Sequence, residues 1–437
     1  MDLIKVCGVI FSLIAFLITI RLFGRRYNWH PEWQRKILHL GLGVTAISFT
    51  WFFSKQWQVL VVCAASIAIL LMIRTIPQLR NSVGKAVFDV NRSSLGELFF
   101  AISIVLLFWL SHGNKALYVI PIAILTISDA VAALVGTHYG KKLFKVIDGN
   151  KSWEGTLAFA GVTFTILLVL LYLLTPISWA ALLMIAIMFS ILGALIEAVS
   201  WNGLDNLFVP LATYLFLSST LNQDEIQLFY QLSALSGLVL LGLAAGPKSQ
   251  LNTHALMAGI ILLYFFWVAG SIVWVVAPIL IFITHLAMVK IYKDEGSYTF
   301  NAVLSVMSGG FFWLAIEKLF HFPYSFFLFT LALAIHLQII LLLRLKAYRG
   351  KAAEPRIVLF TSLGCAGLLL STTFFHYGIS NQLIALHLYA ILLMFLGGVF
   401  INVTADRFGR KRWSIEALFA LTGSALALIP IGIMRLL

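Results

Sequence analysis

Apolar stretches of bilayer-crossing length recur from one end of this sequence to the other, and they decide what it can fold into. About sixteen can be counted, at 3–23, 36–53, 57–74, 97–111, 116–136, 156–175, 178–199, 206–220, 228–246, 252–270, 272–290, 301–319, 324–343, 357–375, 383–402 and 414–435. In lipid every backbone polar group must pair within the protein, so segments of this length are expected as helices. Only 11% of the 437 residues are charged and 61% are hydrophobic. So few charges cannot cover the surface of a water-soluble fold of this size. The expectation is an all-α, polytopic integral membrane protein with about sixteen transmembrane helices. A soluble globular enzyme and a disordered chain are excluded.

Basic residues orient the segments. Counting alternate connections as one side, 25 of the 30 Lys and Arg fall on a single side, and Lys5, Lys55, Lys115, Lys318 and Arg435 fall on the other. The positive-inside rule puts the first set in the cytoplasm and both termini outside. It also accounts for the net charge of +13 without nucleic acid, which is not expected as a partner. Residues 1–23 carry Asp2 and Lys5 and no small-x-small cleavage site, so the first segment is expected to be retained as a helix. Cys7, Cys63 and Cys365 lie in apolar stretches without ligand spacing and are expected as buried thiols.

The polar residues of the first half gather on the cytoplasmic side. Asp129 lies about seven residues, or on the order of 10 Å, inside its helix. A carboxylate at that depth is costly unless paired or solvated, which marks it as a functional candidate. Ser128, Ala132 and Gly136 follow at four-residue spacing, a face that admits a close neighbour. Beyond it runs Gly136-Thr137-His138-Tyr139-Gly140-Lys141-Lys142, then Gly149-Asn150-Lys151-Ser152-Trp153-Glu154-Gly155. Glycines let backbone approach a phosphate, and N–H groups at a helix start face anions. Lys142 and Lys151 have the charge to neutralise phosphate oxygens. Ser152 is placed to cap a helix beginning near Thr156, with Glu154 in its first turn. A Gly/Lys loop beside a buried Asp is what a Mg2+–nucleotide site needs, although a basic loop that only fixes orientation has the same composition.

Three further stretches add to this. Arg35, Lys36 and His39 share one helix face at the cytoplasmic mouth, where they would meet a phosphate or an anionic lipid head, or simply anchor the helix. Glu97 opens a segment, with Arg92 five residues before it. Glu197 sits at the helix end that disfavours an acid and so needs a metal or a lysine, and Asp205-Asn206 precedes the next segment as a ligand pair or as a helix cap.

Together these motifs resemble the polyprenol kinase family, which includes dolichol, phytol and farnesol kinases. The resemblance rests on Asp129-Ala130 … Gly136 … Gly140-Lys141 … Lys151-Ser152-Trp153-Glu154-Gly155, on Arg35-Lys36-Ile37-Leu38-His39, on Arg92-Ser93-Ser94-Leu95-Gly96-Glu97, and on Glu197 with Gly203-Leu204-Asp205-Asn206 … Pro210. It covers roughly residues 20–220. It implies transfer of the γ-phosphate of CTP, or a related nucleotide, to a prenol hydroxyl, with Mg2+ as cofactor and the prenol and membrane lipids as partners. The residues it implies are Asp129, Glu197, Lys151 and Glu154 for catalysis. Gly136, Gly140, Lys141, Lys142, Ser152, Gly155, Arg35, Lys36, His39 and Arg92 would bind nucleotide or phosphate, and Asp129, Glu154, Asp205 and Asn206 the metal.

Two other readings compete. A CTP:phosphatidate cytidylyltransferase has a similar Asp … Gly … Lys-Thr-x-Glu-Gly region, but its closing His-Gly-Gly signature is missing from this sequence. A lipid transporter would explain so many segments but not the four motifs. The division expected is a kinase-like domain over 1–245 and an additional helical membrane domain over 246–437, where Lys293-Asp294-Glu295 and Asp406-Arg407-Phe408-Gly409-Arg410 mark charged loops.

Overall fold

The computed structural model describes residues 2–81, 95–292, 298–404 and 412–436. Arg92, with the rest of its motif up to Ser94, and the charged loops at 293–297 and 405–411 lie outside these residues. The chain divides into two compact units, Met1–Ser233 and Ala234–Leu437.

Each of the sixteen apolar segments falls on helix. Among the described residues, twelve helices are long and apolar enough to cross a membrane. The helices Gly96–Leu110 and Thr253–Ala269 are apolar but shorter, and Pro31–Phe52 and Asp205–Thr220 complete the set. The molecule is a polytopic helical membrane protein. Large apolar side chains left on the outside, Phe11, Leu157, Tyr172 and Leu173 among them, suit a lipid-facing surface.

One element departs from an all-α reading. Strands β1 (Leu143–Val146) and β2 (Gly149–Ser152) form an antiparallel hairpin, with Leu143 opposite Ser152 and Val146 opposite Gly149. The two-residue turn between them puts Gly149 at φ 147, a conformation side-chain-bearing residues rarely adopt. The stretch expected to be an open phosphate loop is thus largely a hairpin. Cys63 and Cys365 are buried as expected, but Cys7 is exposed, because its helix turns that side outward.

In the first unit, helices Asp2–Arg26, Pro31–Phe52, Gln56–Thr75, Gly96–Leu110 and Lys115–Tyr139 share an apolar core that includes Val6, Phe49, Val62, Leu107, Tyr118 and Leu125. Tyr118 is fully buried and donates its hydroxyl to the Ala46 carbonyl at 2.9 Å. Helix Lys115–Tyr139 contains Pro121, which cannot donate a backbone bond, and a π turn over Ile124–Ser128. Asp129 is the first residue after that turn. The small-residue face of this helix packs on helix Trp153–Leu174, where Thr163 donates to the Ser128 hydroxyl at 2.9 Å.

In the second unit, helix Ser325–Arg349 is the centre, with every side chain from Ser325 to Ile339 buried. It holds His336, whose ring nitrogen is 3.6 Å from Glu416 at a site closed to solvent.

Candidate functional site

Asp129 is approached by the helix that carries Arg35, Lys36 and His39. The Lys36 ammonium is 2.7 Å from Asp129 Oδ2 and almost wholly buried. His39 Nε2 lies 3.7 Å from the same oxygen and 3.3 Å from the Leu125 carbonyl. Spacing of three residues brings these two onto one face, and that face meets the deep carboxylate. A charge inside a helix bundle is stable only with such a partner.

The second acid is met by the hairpin. Lys151, on β2, is 2.8 Å from Glu197 Oε1 and also donates to the Glu197 main-chain carbonyl. Glu197 stands in the last turn of helix Trp179–Val199, where unpaired carbonyls already make the field negative. The lysine resolves that conflict. Burial works against the charge on Lys151, but Glu197, Asp205 and Asp129 outweigh it and hold its pKa above the usual lysine value.

Asp205 opens helix Asp205–Thr220 rather than capping it; the cap position is Leu204. Half-buried, it lies in the field of Asp129 and Glu197, which repel it, and of Lys151 and Lys36, which attract it. Two cations and three acids from separate elements therefore form one charge cluster. Asn206, beside Asp205, joins Arg35, His39 and Glu97 at the polar end of an apolar cavity.

Glu154 goes elsewhere. Its carboxylate accepts from the Lys142 backbone N–H at 3.2 and 3.3 Å, pinning the start of the hairpin. Among the described residues, no three or more His, Cys, Asp or Glu side chains gather to hold a metal. Asp129 and Asp205 still suit Mg2+, which uses one or two carboxylates and takes its remaining ligands from phosphate and water.

Ser152 caps helix Trp153–Leu174 as its spacing predicts, accepting from the Gly155 N–H at 3.2 Å. The glycines serve packing. A Cβ at Gly140 would strike the Gly136 carbonyl and come within 2.8 Å of Ser152 Oγ, and one at Gly155 would come within 3.0 Å of the Ala132 carbonyl. Lys141 and Lys142 remain exposed. Asp148, in the hairpin turn, accepts from the Asn202 N–H at 2.9 Å and ties the hairpin to the loop before Asp205. Sequence reasoning missed Asp148; its place beside Gly149 in a tight turn was the available signal.

The model of the cytidylyltransferase family matches residues 5–199. A phytol kinase from Synechocystis sp. is 33% identical over 205 residues, which are 46% of this chain and 84% of that protein. This chain belongs to the polyprenol kinase family. No solved structure matches it significantly. The segment shared with the relative is 205 residues long, so more than half of the 437 residues of this chain lie outside it. As a polyprenol kinase family member it is a kinase-type lipid enzyme of the membrane.

Proposed function

We propose that this enzyme transfers the γ-phosphate of CTP, or a related nucleoside triphosphate, to the hydroxyl of a prenol at the cytoplasmic face of the membrane. In this reading sixteen helices cross the bilayer and both termini lie outside. Residues 1–245 hold the kinase, and 246–437 form an additional membrane domain. The observation that carries the reading is the convergence of Lys36 and Lys151 on Asp129, Glu197 and Asp205. Phosphoryl transfer needs positioning and charge neutralisation above all, and this cluster has both signs of charge in one place.

Asp129 and Asp205 would hold Mg2+, which when bound would supply positive charge to the triphosphate. Lys36 and Lys151 are each held by a carboxylate and turn to the phosphate oxygens when the nucleotide arrives. Lys141 and Lys142, exposed at the start of the hairpin, and Arg35 and Arg92 add positive charge around the phosphates. Gly136, Gly140, Ser152 and Gly155 keep the hairpin close to the Asp129 helix. Glu154 pins the hairpin. Glu197, once released by Lys151, or Asp129 itself orients the alcohol. A bond forms between the prenol oxygen and the γ-phosphorus, the bond to the bridging oxygen breaks, CDP leaves, and the hydroxyl proton passes to a carboxylate.

The test is phosphotransfer by the full chain in detergent or lipid with γ-labelled CTP, ATP and UTP and several prenols. Label in an extractable prenyl phosphate, lost in Asp129→Asn, supports the reading. The match to the cytidylyltransferase family model favours a second reading. Incorporation of CMP from α-labelled CTP into phosphatidate, with no label in any prenol, would move the assignment there.

A further inference from the structure

The first unit contains a cavity of about 140 Å³ between four helices, with Asn206 of a fifth at one end, and its geometry bears on which alcohol reaches the charge cluster. Arg35, His39, Leu42, Ala46 and Phe49 line it from one helix, at spacings that keep a single face turned inward. At ~1.5 Å per residue, Arg35 and Phe49 are about 21 Å apart along that helix, so the cavity is a slender channel rather than a chamber. The facing walls come from helices Asp2–Arg26, Gln56–Thr75 and Gly96–Leu110.

Only one end is polar, where Arg35, His39, Glu97 and Asn206 lie. Further in, the hydroxyls of Thr45 and Ser66 are spent on carbonyls of their own helices, Gly41 and Val62, each at 2.8 Å. The walls therefore ask for nothing but hydrocarbon. His39 belongs to both places: it lines the channel and stands 3.7 Å from Asp129.

We propose that this cavity is the acceptor channel, taking a prenol of three or four isoprene units tail-inward and stopping its hydroxyl beside His39. The inference rests on the prenol kinase reading. The extended backbone of three units reaches about 14 Å and that of four about 19 Å, against about 15 Å along the helix from His39 to Phe49, so three units fill the channel extended and four fill it with a bend. A long polyprenol exceeds it several times over. Ser66 and Thr45, halfway along, set the chain length that can enter.

The experiment compares geraniol, farnesol, phytol and a long polyprenol as acceptors for the full chain and for Ser66→Phe and Thr45→Phe. The unaltered protein should favour farnesol and phytol over the long polyprenol. Each plugged variant should lose phytol relative to geraniol by at least about tenfold, since several buried methylenes are displaced. An acceptor profile unchanged in both variants overturns the channel and leaves the kinase reading standing. No transfer to any prenol by the unaltered protein overturns both. If both variants lose every acceptor alike, a phytol analogue with a diazirine at its tail, irradiated on the unaltered protein, decides. Label at Phe49 or Cys63 supports the channel, and label outside its four helices overturns it.

Discussion

Lys151, in the second strand of the hairpin, and Glu197, in the last turn of helix Trp179–Val199, are 2.8 Å apart across 46 positions of sequence. The pair docks the hairpin on the helix bundle and leaves each side chain mostly buried. Breaking such a pair strands a charge, so Lys151→Met should destabilise the protein by about 3 kcal/mol and lower turnover by at least about a hundredfold. Glu197→Gln, which keeps an acceptor for the ammonium, should be milder on both counts. Thermal unfolding in detergent and turnover at saturating substrate check this; equal behaviour of the two variants would sink it. The pH dependence follows from the raised pKa of Lys151. A lysine whose folded value lies above its unfolded value contributes stability fully below about pH 10.4, and loses it only as pH rises through the folded value. Lys151→Met should therefore cost the same stability at pH 6 as at pH 8.

Lys36 and Asp129 invite a double-mutant cycle. Either single change leaves the other group ionised inside the bundle without its partner at 2.7 Å, although His39 stays 3.7 Å from Asp129. Lys36→Met with Asp129→Asn removes both charges. The double variant should be more stable than the sum of the single losses by about 1–3 kcal/mol, and all three proteins should lack transfer activity. Additivity within about 0.5 kcal/mol would show that the pair is not coupled.

What the sequence made legible follows from the range of each interaction. The apolar segments, the place of Asp129 inside a helix, the shared face of Lys36 and His39 and the Ser152 cap depend on residues within a turn or two, and they stand where spacing placed them. The need of Glu197 for a partner was also readable, because a helix end disfavours acid locally. Which partner was not: Lys151 reaches it only because residues 143–152 fold into a hairpin. That hairpin was hidden by its four-residue strands, which are too short for a clear alternation of apolar and polar residues. The family resemblance grouped Glu154 with Asp129, whereas its carboxylate accepts from the Lys142 N–H at the start of the hairpin. The channel was written in four stripes on four helices, and no single stripe differs from ordinary packing.

Glycine positions around the hairpin should rank by available space. At Gly140 an added Cβ meets a backbone carbonyl as well as Ser152, whereas at Gly136 its nearest neighbour is Ser152 Oγ at 3.2 Å. A carbonyl cannot move without shifting its helix. Gly140→Ala should cost about 1–3 kcal/mol and Gly136→Ala less than about 1 kcal/mol. Melting temperatures of the two variants in the same detergent give the order, and a reversed order would contradict the packing role.

Glu154 and Asp205 separate a hairpin pin from a proposed metal ligand. Glu154→Gln retains an oxygen for the Lys142 N–H, and its carboxylate is engaged away from Asp129. It should keep activity within about threefold and leave the Mg2+ concentration for half-maximal rate unchanged, because an amide oxygen accepts the same backbone bond. Asp205 stands in the repelling field of Asp129 and Glu197, a conflict that a divalent cation relieves. Asp205→Asn should raise the half-maximal Mg2+ concentration by at least about tenfold, since a site of one or two carboxylates loses much of its charge with either. Mg2+ titrations of phosphotransfer by the three proteins distinguish these roles. A large Mg2+ shift in Glu154→Gln with none in Asp205→Asn would exchange the assignments, and would require the hairpin to open toward Asp129 when nucleotide binds.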